Sequence, residues 1–399
     1  MSDLLPVADA VHLMTADAEA LAGIDELDLH EAVGRVLATP LAARRTQPPF
    51  PASAMDGYAV RAADLPRILT VIGEAAAGQG FVGTIGRGEC VRIFTGAPLP
   101  DGADTIAIQE NARPGSNGTV VFDEPEQHGR FVRPIGLDFH EGDALLSAGR
   151  LLDAGALSLA AAMDYPTLPV RRRPRVALVA NGNELVRPGD ERGPYAIVAS
   201  NTYGVAAIVR ACGGEPLDCG IAPDEPASID GTLSKAEVAD IVVTLGGASV
   251  GDHDLIGESL ARRGVNMRFL KLAMKPGKPV MFGTRTVAGR VVRYLGLPGN
   301  PVSSLVGARV LLRPLVRAML GLEPSETTRR GTLSAPLPEN GDRQVYLRAV
   351  LDEAGKVRAH ETQDSSQLSV LAASNALIVR PPHAPAVGMG ANVEVLPWM

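Results

Sequence analysis

The sequence predicts an α/β plus β protein: an elongated multidomain chain with a parallel α/β sheet domain, an inserted small β-rich domain and a C-terminal β domain. Apolar strand-like runs alternate with helical runs over residues 174–321, which is the pattern of a parallel sheet with helices on both faces. Residues 46–138 and 324–399 instead hold short β-like runs broken by glycine, proline and aspartate, which is typical of small β domains.

The composition allows a large core and argues against two broad classes of protein. Of 399 residues, 46% are hydrophobic but only 4% are aromatic, so Ala, Val and Leu must form most of the core. The net charge of −7 disfavours extended contact with nucleic acid, and no uncharged apolar run reaches the roughly 18 residues of a membrane span. The first residues lack the basic region and apolar core of a signal peptide, so we expect a soluble cytoplasmic protein.

The pattern along the chain divides it into five expected domains. They are an N-terminal helix packing on the α/β domain (1–23), a linking domain (24–45 and 139–172), the inserted β-rich domain (46–138), the α/β domain (173–323) and the C-terminal β domain (324–399).

The first half of the chain contains helices at its two ends and strands between them. Apolar residues at helical spacing predict a helix over 6–22, residues 27–43 combine helix and strand, and residues 150–169 form an Ala- and Leu-rich helix ending near Pro166. The β-like runs are 57–60, 69–72, 89–93, 105–109 and 119–122.

The second half predicts the elements of the α/β and C-terminal domains. Its strands are 176–180, 217–221, 241–245, 267–272, 280–282, 291–297, 344–351, 357–360, 376–380 and 392–396. Its helices are 202–212, 226–237, 255–263 and 302–320.

Glycines, acids and hydroxyls follow the strands of the α/β domain, at the sheet edge where ligands of such folds bind. Gly246 and Gly247 allow backbone N–H groups to approach a phosphate, and Ser249 adds a hydroxyl donor. Asp224, Asp252 and Asp254 offer the oxygen ligands that Mg²⁺ prefers, although a helix N-cap is an equally good explanation for Asp252 or Asp254 alone.

A lysine cluster and a proline-initiated helix add positive potential to this half of the chain. Lys271, Lys275 and Lys278 lie in a proline-stiffened extended segment, where lysine supplies point charge to phosphates and oxyanions. An edge strand guarded by lysines is the alternative. Pro301 is expected at the first position of a helix, so Pro298 and Ser303 lie around a helix N-terminus, which favours an anion.

Several common site types are absent from the sequence. The three cysteines and seven histidines show no disulfide or zinc spacing. No Walker A motif, Gly-x-Ser-x-Gly elbow or Gly-x-Gly-x-x-Gly fingerprint is present, which disfavours a P-loop kinase or a nicotinamide enzyme.

Taken in order, these segments resemble the MoeA family of molybdopterin molybdenumtransferases, which is also similar to the C-terminal domain of gephyrin. The matching stretches are PASAMDGYAVR (51–61), IFTGAPLP (93–100), GAD (102–104), GLD (136–138), GNEL (182–185), GGASVGD (246–252), KLAMKPGKP (271–279) and LPGNPVS (297–303). They cover nearly the whole chain.

The resemblance implies the last step of molybdenum cofactor synthesis. Molybdate would be inserted into the dithiolene of adenylylated molybdopterin, with cleavage of the adenylate, release of AMP and a requirement for Mg²⁺. It also implies a homodimer of four-domain subunits whose cleft joins the α/β domain of one subunit to other domains of its partner. As protein partners, the resemblance implies the molybdopterin adenylyltransferase that makes the substrate and the apoenzymes that accept the cofactor.

The same resemblance assigns roles to individual residues. Catalytic polar positions are Asp56, Thr95, Asp138, Glu184, Asp224 and Asp254, and the Mg²⁺ ligands are Glu184, Asp224 and Asp254. Substrate-binding positions are Gly246, Gly247, Ser249, Lys271, Lys275, Lys278, Pro298, Pro301 and Ser303, with Arg343 or Arg348 and Ser365 from the final domain. Taken alone, Asp56 and Thr95 would be explained as turn residues before glycines.

The chain departs from the family pattern at positions that bear on phosphate contacts, and two other functions remain as alternatives. Asn181 and Leu245 stand where a hydroxyl residue is common, and Ala248 stands where valine is common. A molybdopterin adenylyltransferase shares the α/β domain but not the flanking β regions, and a gephyrin-like scaffold without catalysis would not need the acids and lysines.

Overall fold

The computed structural model describes residues 4–247, 255–324 and 328–398. Contacts divide the chain into two compact units: a β-rich unit, Glu26–Val170, and an α/β unit, Met1–Asp25 with Arg171–Met399. The finer five-domain division remains a prediction. Within the described ranges, no helix has both the length and the apolar character needed to cross a membrane.

A six-stranded sheet forms the centre of the β-rich unit. In spatial order its strands are Thr105–Ile108, Gly57–Val60, Glu89–Ile93, Ile68–Ala75, Thr119–Phe122 and Ala112–Pro114. Successive side chains point to opposite faces, and both faces are covered: Ala59 and Ile93 pack in one cluster, Val60 and Cys90 in another. The predicted strands in this region are confirmed.

Short strands and one helix complete the β-rich unit. They are Ile24–Asp28, Leu41–Ala42, Ala52–Ser53, Val132–Arg133, Ala144–Leu146, Ala154–Ala162 (the helix) and Thr167–Arg171. The helical part of the 27–43 prediction is wrong, because Ala32 is buried from a loop and Leu37 from an isolated β-bridge to Val170 rather than from one helix face. The helix predicted over 150–169 is shorter: Asp153 caps its start through the Ala156 N–H, and Asp164 beyond its end has a φ of 73°.

The α/β unit is built on a mixed sheet. In spatial order its strands are Glu215–Ala222, Arg175–Asn181, Ile241–Leu245, Arg290–Leu297, Pro279–Val287 and Asn266–Lys271. The first four are parallel, as predicted. The prediction is wrong for Pro279–Val287, which is antiparallel to both neighbours because a tight turn joins it directly to Arg290–Leu297.

Helices flank this sheet and position its carboxyl edge. They are Val7–Thr15, Asn201–Ala211, Pro226–Ala236, Leu255–Arg262, Pro301–Gly307 and Arg313–Met319, with a π-helical turn at Ala308–Leu312. The single long helix predicted over 302–320 is therefore interrupted. Pro314 follows the π-helical turn, and it has no N–H with which to continue the regular hydrogen-bond pattern.

The last strands close into a small barrel. Arg329–Leu333, Gln344–Leu351, Lys356–Ala359, Ala376–Arg380 and Asn392–Pro397 pair in a ring, and the short helix Leu368–Ala372 connects two of them. The predicted C-terminal strands are thus confirmed. Met274–Lys275 pairs with the Gln344–Leu351 strand and so carries the lysine segment onto the barrel.

Candidate functional site

The carboxyl edge of the α/β sheet opens into a cleft of about 620 Å³. The ends of Arg175–Asn181, Ile241–Leu245 and Arg290–Leu297, together with the first turn of Asn201–Ala211, form its walls. The short parallel pair Leu185–Val186 and Ile197–Val198 covers one side. We refer to this space below as the cleft.

Gly246 and Gly247 lie in the wall of the cleft in conformations that only glycine adopts readily. Their φ angles are 104° and 67°. A Cβ on Gly246 would stand 2.6 Å from the Asn181 carbonyl oxygen, and one on Gly247 would stand 2.5 Å from Ile256 Cγ1. The two glycines therefore bring the backbone close to the cleft, although the Gly246 N–H, which was expected to face a phosphate, is bonded to the Leu297 carbonyl at 3.1 Å.

The second wall is the loop of Pro298, Gly299 and Asn300, which precedes the Pro301–Gly307 helix. A Cβ on Gly299 would lie 3.7 Å from the Gly246 Cα atom, so the two glycine loops are in contact. The expected juxtaposition of the Gly246–Gly247 and Pro298–Pro301 segments is present.

Two predicted acids, Glu184 and Asp224, lie on loops that are joined by hydrogen bonds at this sheet edge. Asp224 Oδ2 accepts a hydrogen bond from the Asn183 N–H at 3.1 Å, and Asn183 Oδ1 accepts one from the Asp224 N–H at 3.0 Å. Glu184 follows Asn183, and its side chain lines the cleft. Both carboxylates are exposed.

The third predicted ligand, Asp254, lies outside the described residues, as do Ser249 and Asp252. Over the described ranges, no three His, Cys, Asp or Glu side chains converge as a metal cluster. Glu184 and Asp224 offer hard oxygen donors that fit Mg²⁺ in chemical type, and the predicted three-ligand set remains a prediction.

The predicted lysines lie at the same sheet edge. Lys271 ends its strand opposite Pro279. Between them, Lys275 at the end of the Met274–Lys275 strand and Lys278 are both exposed. Three backbone hydrogen bonds hold the base of this turn: Leu5 N–H to Lys271 O (3.3 Å), Ala273 N–H to Leu5 O (2.8 Å) and Gln344 N–H to Ala273 O (2.8 Å). The last of these places Arg343 next to the lysine segment.

Ser303 and Ser365 lie near the start of the Pro301–Gly307 helix. Ser303 is 4% exposed, and its carbonyl oxygen would lie 3.7 Å from a Cβ on Gly277. The Ser365 carbonyl accepts the Val302 N–H at 3.0 Å, and its hydroxyl accepts the Asn300 side-chain amide at 3.2 Å. One helix N–H that was expected to face an anion is therefore already bonded.

Arg348 has a different environment from the one expected for a substrate ligand. Its side chain is 2% exposed and donates to Gln363 Oε1 (3.2 Å) and to the Asp364 carbonyl (2.8 Å). Burial lowers the pKa of Arg348, and the Asp364 carboxylate opposes that shift. In this structure Arg348 holds the turn that carries Ser365 rather than projecting into the cleft.

The β-rich unit holds the other three predicted polar residues. Asp56 Oδ1 accepts hydrogen bonds from the Thr95 N–H and the Thr95 hydroxyl, both at 2.7 Å. These bonds, aided by the charge of Arg92, hold the pKa of Asp56 below its usual range. Asp138 lies on another turn, exposed, with its N–H bonded to the Gln47 carbonyl.

Among the polar residues that support these sites, Asn181 and Asn300 lay in segments that the sequence had indicated, whereas Asn201 and Arg92 were not predicted. Asn181 donates from its side chain to the Ala222 carbonyl and packs beside Gly247, while Asn201 and Asn300 line the cleft. Arg92 lies over the Tyr58 and Phe94 rings and donates to the Gly57 carbonyl. The sequence signal for Asn201 was its place at the start of a predicted helix that follows a strand.

Comparison with known proteins agrees with this architecture. The MoeA N-terminal region (domain I and II) matches residues 5–163, a probable molybdopterin binding domain matches 177–318, and the MoeA C-terminal region (domain IV) matches 330–398. The order and extent of these three matches follow the strands and helices described above.

Individual relatives match along most of their length. The chain is 37% identical to a molybdopterin molybdenumtransferase from Nostoc sp., over 93% of this chain and 88% of that one. It is 35% identical to molybdopterin molybdenumtransferase 2 from Mycobacterium tuberculosis, over 92% and 93%. The crystal structure of a molybdopterin biosynthesis MoeA protein from Pyrococcus horikoshii is 28% identical, with a TM-score of 0.84 over 98% of this chain and 99% of that one. With its three matched regions in order and relatives of this identity, the chain belongs to the MoeA family of molybdopterin molybdenumtransferases.

Proposed function

We propose that this protein transfers molybdenum from molybdate to the dithiolene of adenylylated molybdopterin, with Mg²⁺-dependent cleavage of the adenylate and release of AMP. The observation that carries the proposal is the contact between the Gly246 and Gly299 loops, flanked at one sheet edge by Glu184, Asp224 and the lysine segment. Such an edge combines backbone donors, carboxylates and cations, which a diphosphate ester, Mg²⁺ and an oxometalate each require.

The residues divide by charge into three roles. The phosphates are bound by Gly246, Gly247 and the Pro298–Pro301 loop. Mg²⁺ is held by Glu184, Asp224 and Asp254. Molybdate is bound by Lys271, Lys275 and Lys278 together with Ser303. When bound, Mg²⁺ would offset charge on the diphosphate and orient water for its cleavage. Arg343 adds charge beside the lysines, and Asp56, Thr95 and Asp138 are the catalytic polar residues of the β-rich unit.

The proposed chemistry balances without an oxidant. Water adds to phosphorus as the phosphoanhydride bond breaks, and AMP departs. The two dithiol sulfurs replace one oxo group on molybdenum, which leaves as water with the two thiol protons. Cations and N–H donors around the oxoanion stabilise the charge that develops.

A single experiment tests this proposal. The purified protein is incubated with adenylylated molybdopterin, and AMP release is followed with Mg²⁺ and molybdate present, each omitted in turn. We expect release only when both are present, because cleavage is coupled to insertion. Release that is independent of molybdate would contradict the mechanism, and ATP consumption with molybdopterin would indicate an adenylyltransferase instead.

We propose further that the protein acts as a homodimer in the cytoplasm. The substrate would then come from a molybdopterin adenylyltransferase, and cofactor-accepting apoenzymes would receive the product. The mass of the assembly in solution tests for the dimer. If the lysines serve catalysis alone, Lys275→Ala should leave the number of subunits unchanged.

A further inference from the structure

Every carbonyl oxygen of the loop from Leu297 to Asn300 has a hydrogen-bond donor. The Gly246 N–H bonds Leu297 O at 3.1 Å, and the Ser304 N–H bonds Asn300 O at 2.9 Å. The two carbonyls between them are held by side chains: the Ser304 hydroxyl donates to Pro298 O, and Asn201 Nδ2 donates to Gly299 O at 2.8 Å. The loop therefore offers no free carbonyl to the cleft.

The N–H groups of the same loop, in contrast to its carbonyls, have no hydrogen-bond partner among the described residues. Pro298 and Pro301 have none, and the N–H groups of Gly299 and Asn300 meet no acceptor among residues 4–247, 255–324 and 328–398. Both residues are exposed and line the cleft. The loop thus presents donors alone.

Peptide planarity connects these two observations. The Pro298 carbonyl shares one peptide plane with the Gly299 N–H, and the Gly299 carbonyl shares the next with the Asn300 N–H. In a trans peptide the two groups point in opposite directions, so fixing the oxygen fixes the hydrogen. Ser304, which is 0% exposed, and Asn201 therefore set the direction of both N–H groups.

We propose that Asn201 and Ser304 are positioning residues for the phosphate group of the substrate, an inference that rests on the proposed function of the cleft. They hold two carbonyl dipoles away from the ligand, so that the Gly299 and Asn300 N–H groups face an anion without rotating. Asn201 also donates to Ser304 Oγ at 3.4 Å, which joins the two side chains in one network. Neither residue needs to touch the ligand.

The test compares AMP with adenosine, because the two differ only in the phosphate. Dissociation constants for both are measured by calorimetry on the wild type, Asn201→Ala and Ser304→Ala. We expect the wild type to bind AMP more tightly than adenosine. Each variant should lose about tenfold in AMP affinity, the effect of weakening a hydrogen bond to a charged group, while adenosine affinity stays constant.

The control is Asn266→Ala, which removes an exposed amide at the opposite end of the outermost strand, Asn266–Lys271. It should leave both constants unchanged. Thermal unfolding of each variant checks that it folds, and half-buried Asn201 provides a second variant should the buried Ser304 substitution destabilise the chain.

Three results would overturn the inference. Equal weakening of AMP and adenosine would show a general packing role. If both folded variants bound AMP and adenosine with wild-type dissociation constants, the network would not orient the loop. That result would leave the proposed function standing. A wild type that binds no AMP would remove the proposed function and this inference with it.

Discussion

Asp56 and Thr95, which lie far apart in the β-rich unit's sequence, are joined by two hydrogen bonds of 2.7 Å to the same carboxylate oxygen. Both residues lie in turns that close onto the sheet, directly before Gly57 and Gly96. Gly57 is needed there, since a Cβ would stand 2.2 Å from the Ala107 carbonyl oxygen. The pair is therefore a fixed arrangement of the unit and not a chance contact between flexible turns.

Removing the Thr95 hydroxyl should raise the pKa of Asp56. In Thr95→Ala the carboxylate loses one donor that favours its ionised form, whereas Thr95→Ser keeps it. An NMR titration of the Asp56 carboxyl should therefore show a higher pKa in Thr95→Ala than in the wild type. If ionised Asp56 is needed for the reaction, the acid limb of the pH–rate profile should shift to higher pH in Thr95→Ala. In Thr95→Ser it should lie at the wild-type pH.

Lys275→Ala should weaken molybdate binding by about tenfold, because one charge-assisted contact to a dianion is lost. Lys356→Ala, which removes another exposed lysine on the barrel, is the matched control. Molybdate dissociation constants measured at two salt concentrations should also converge between wild type and Lys275→Ala as salt rises. Equal effects of the two substitutions would exclude a specific role for Lys275.

Arg348→Ala should lower the free energy of unfolding by about 2–4 kcal/mol, because it leaves buried acceptors of the 363–367 turn unpaired. Urea unfolding measures the change. Arg358→Ala, whose side chain is 68% exposed, should change the stability by less than about 0.5 kcal/mol. A stable Arg348→Ala protein with weakened molybdate binding would instead support direct contact with substrate.

Gly247→Ala should lower the free energy of unfolding and the AMP affinity more than Gly264→Ala does, although the two glycines have similar φ angles of 67° and 74°. Each substitution adds about 1–2 kcal/mol of backbone strain. Only at Gly247 does the new Cβ also meet Ile256 and Asn181, while nothing lies within 4 Å at Gly264. Chemical unfolding should show a loss of stability from strain in both variants and a larger loss in Gly247→Ala. AMP binding should weaken only in Gly247→Ala, because only that glycine lies at the cleft.

The sequence predicted several strands well because they are short apolar runs bounded by turn or polar residues, as Ile241–Leu245 is between Asp240 and Gly246. Gly57–Val60, Glu89–Ile93, Ile241–Leu245, Gln344–Leu351 and Ala376–Arg380 begin and end where their apolar runs predicted. It failed at two places where a local feature interrupts the regular pattern. A tight turn joins Pro279–Val287 directly to Arg290–Leu297 and so sets its antiparallel direction. Pro314, which has no N–H, interrupts the regular helical hydrogen bonding next to the π-helical turn.

The candidate site was predictable in its segments but not in its details. Glycine loops, acids and lysines at one sheet edge follow from strand order and chain direction. The burial of Arg348 does not, because an arginine on an alternating strand looks the same whether its partners are carbonyls or substrate. Asn201 was missed for a similar reason: only the folded loop shows which carbonyl its amide meets.

The two backbone hydrogen bonds between Leu5 and the 271–273 segment have a practical consequence for work on this protein. A purification tag fused to the N-terminus would begin only a few residues from these bonds, and therefore close to the segment that carries the lysines. Kinetic constants measured with such a tag attached should be compared with those obtained after its proteolytic removal.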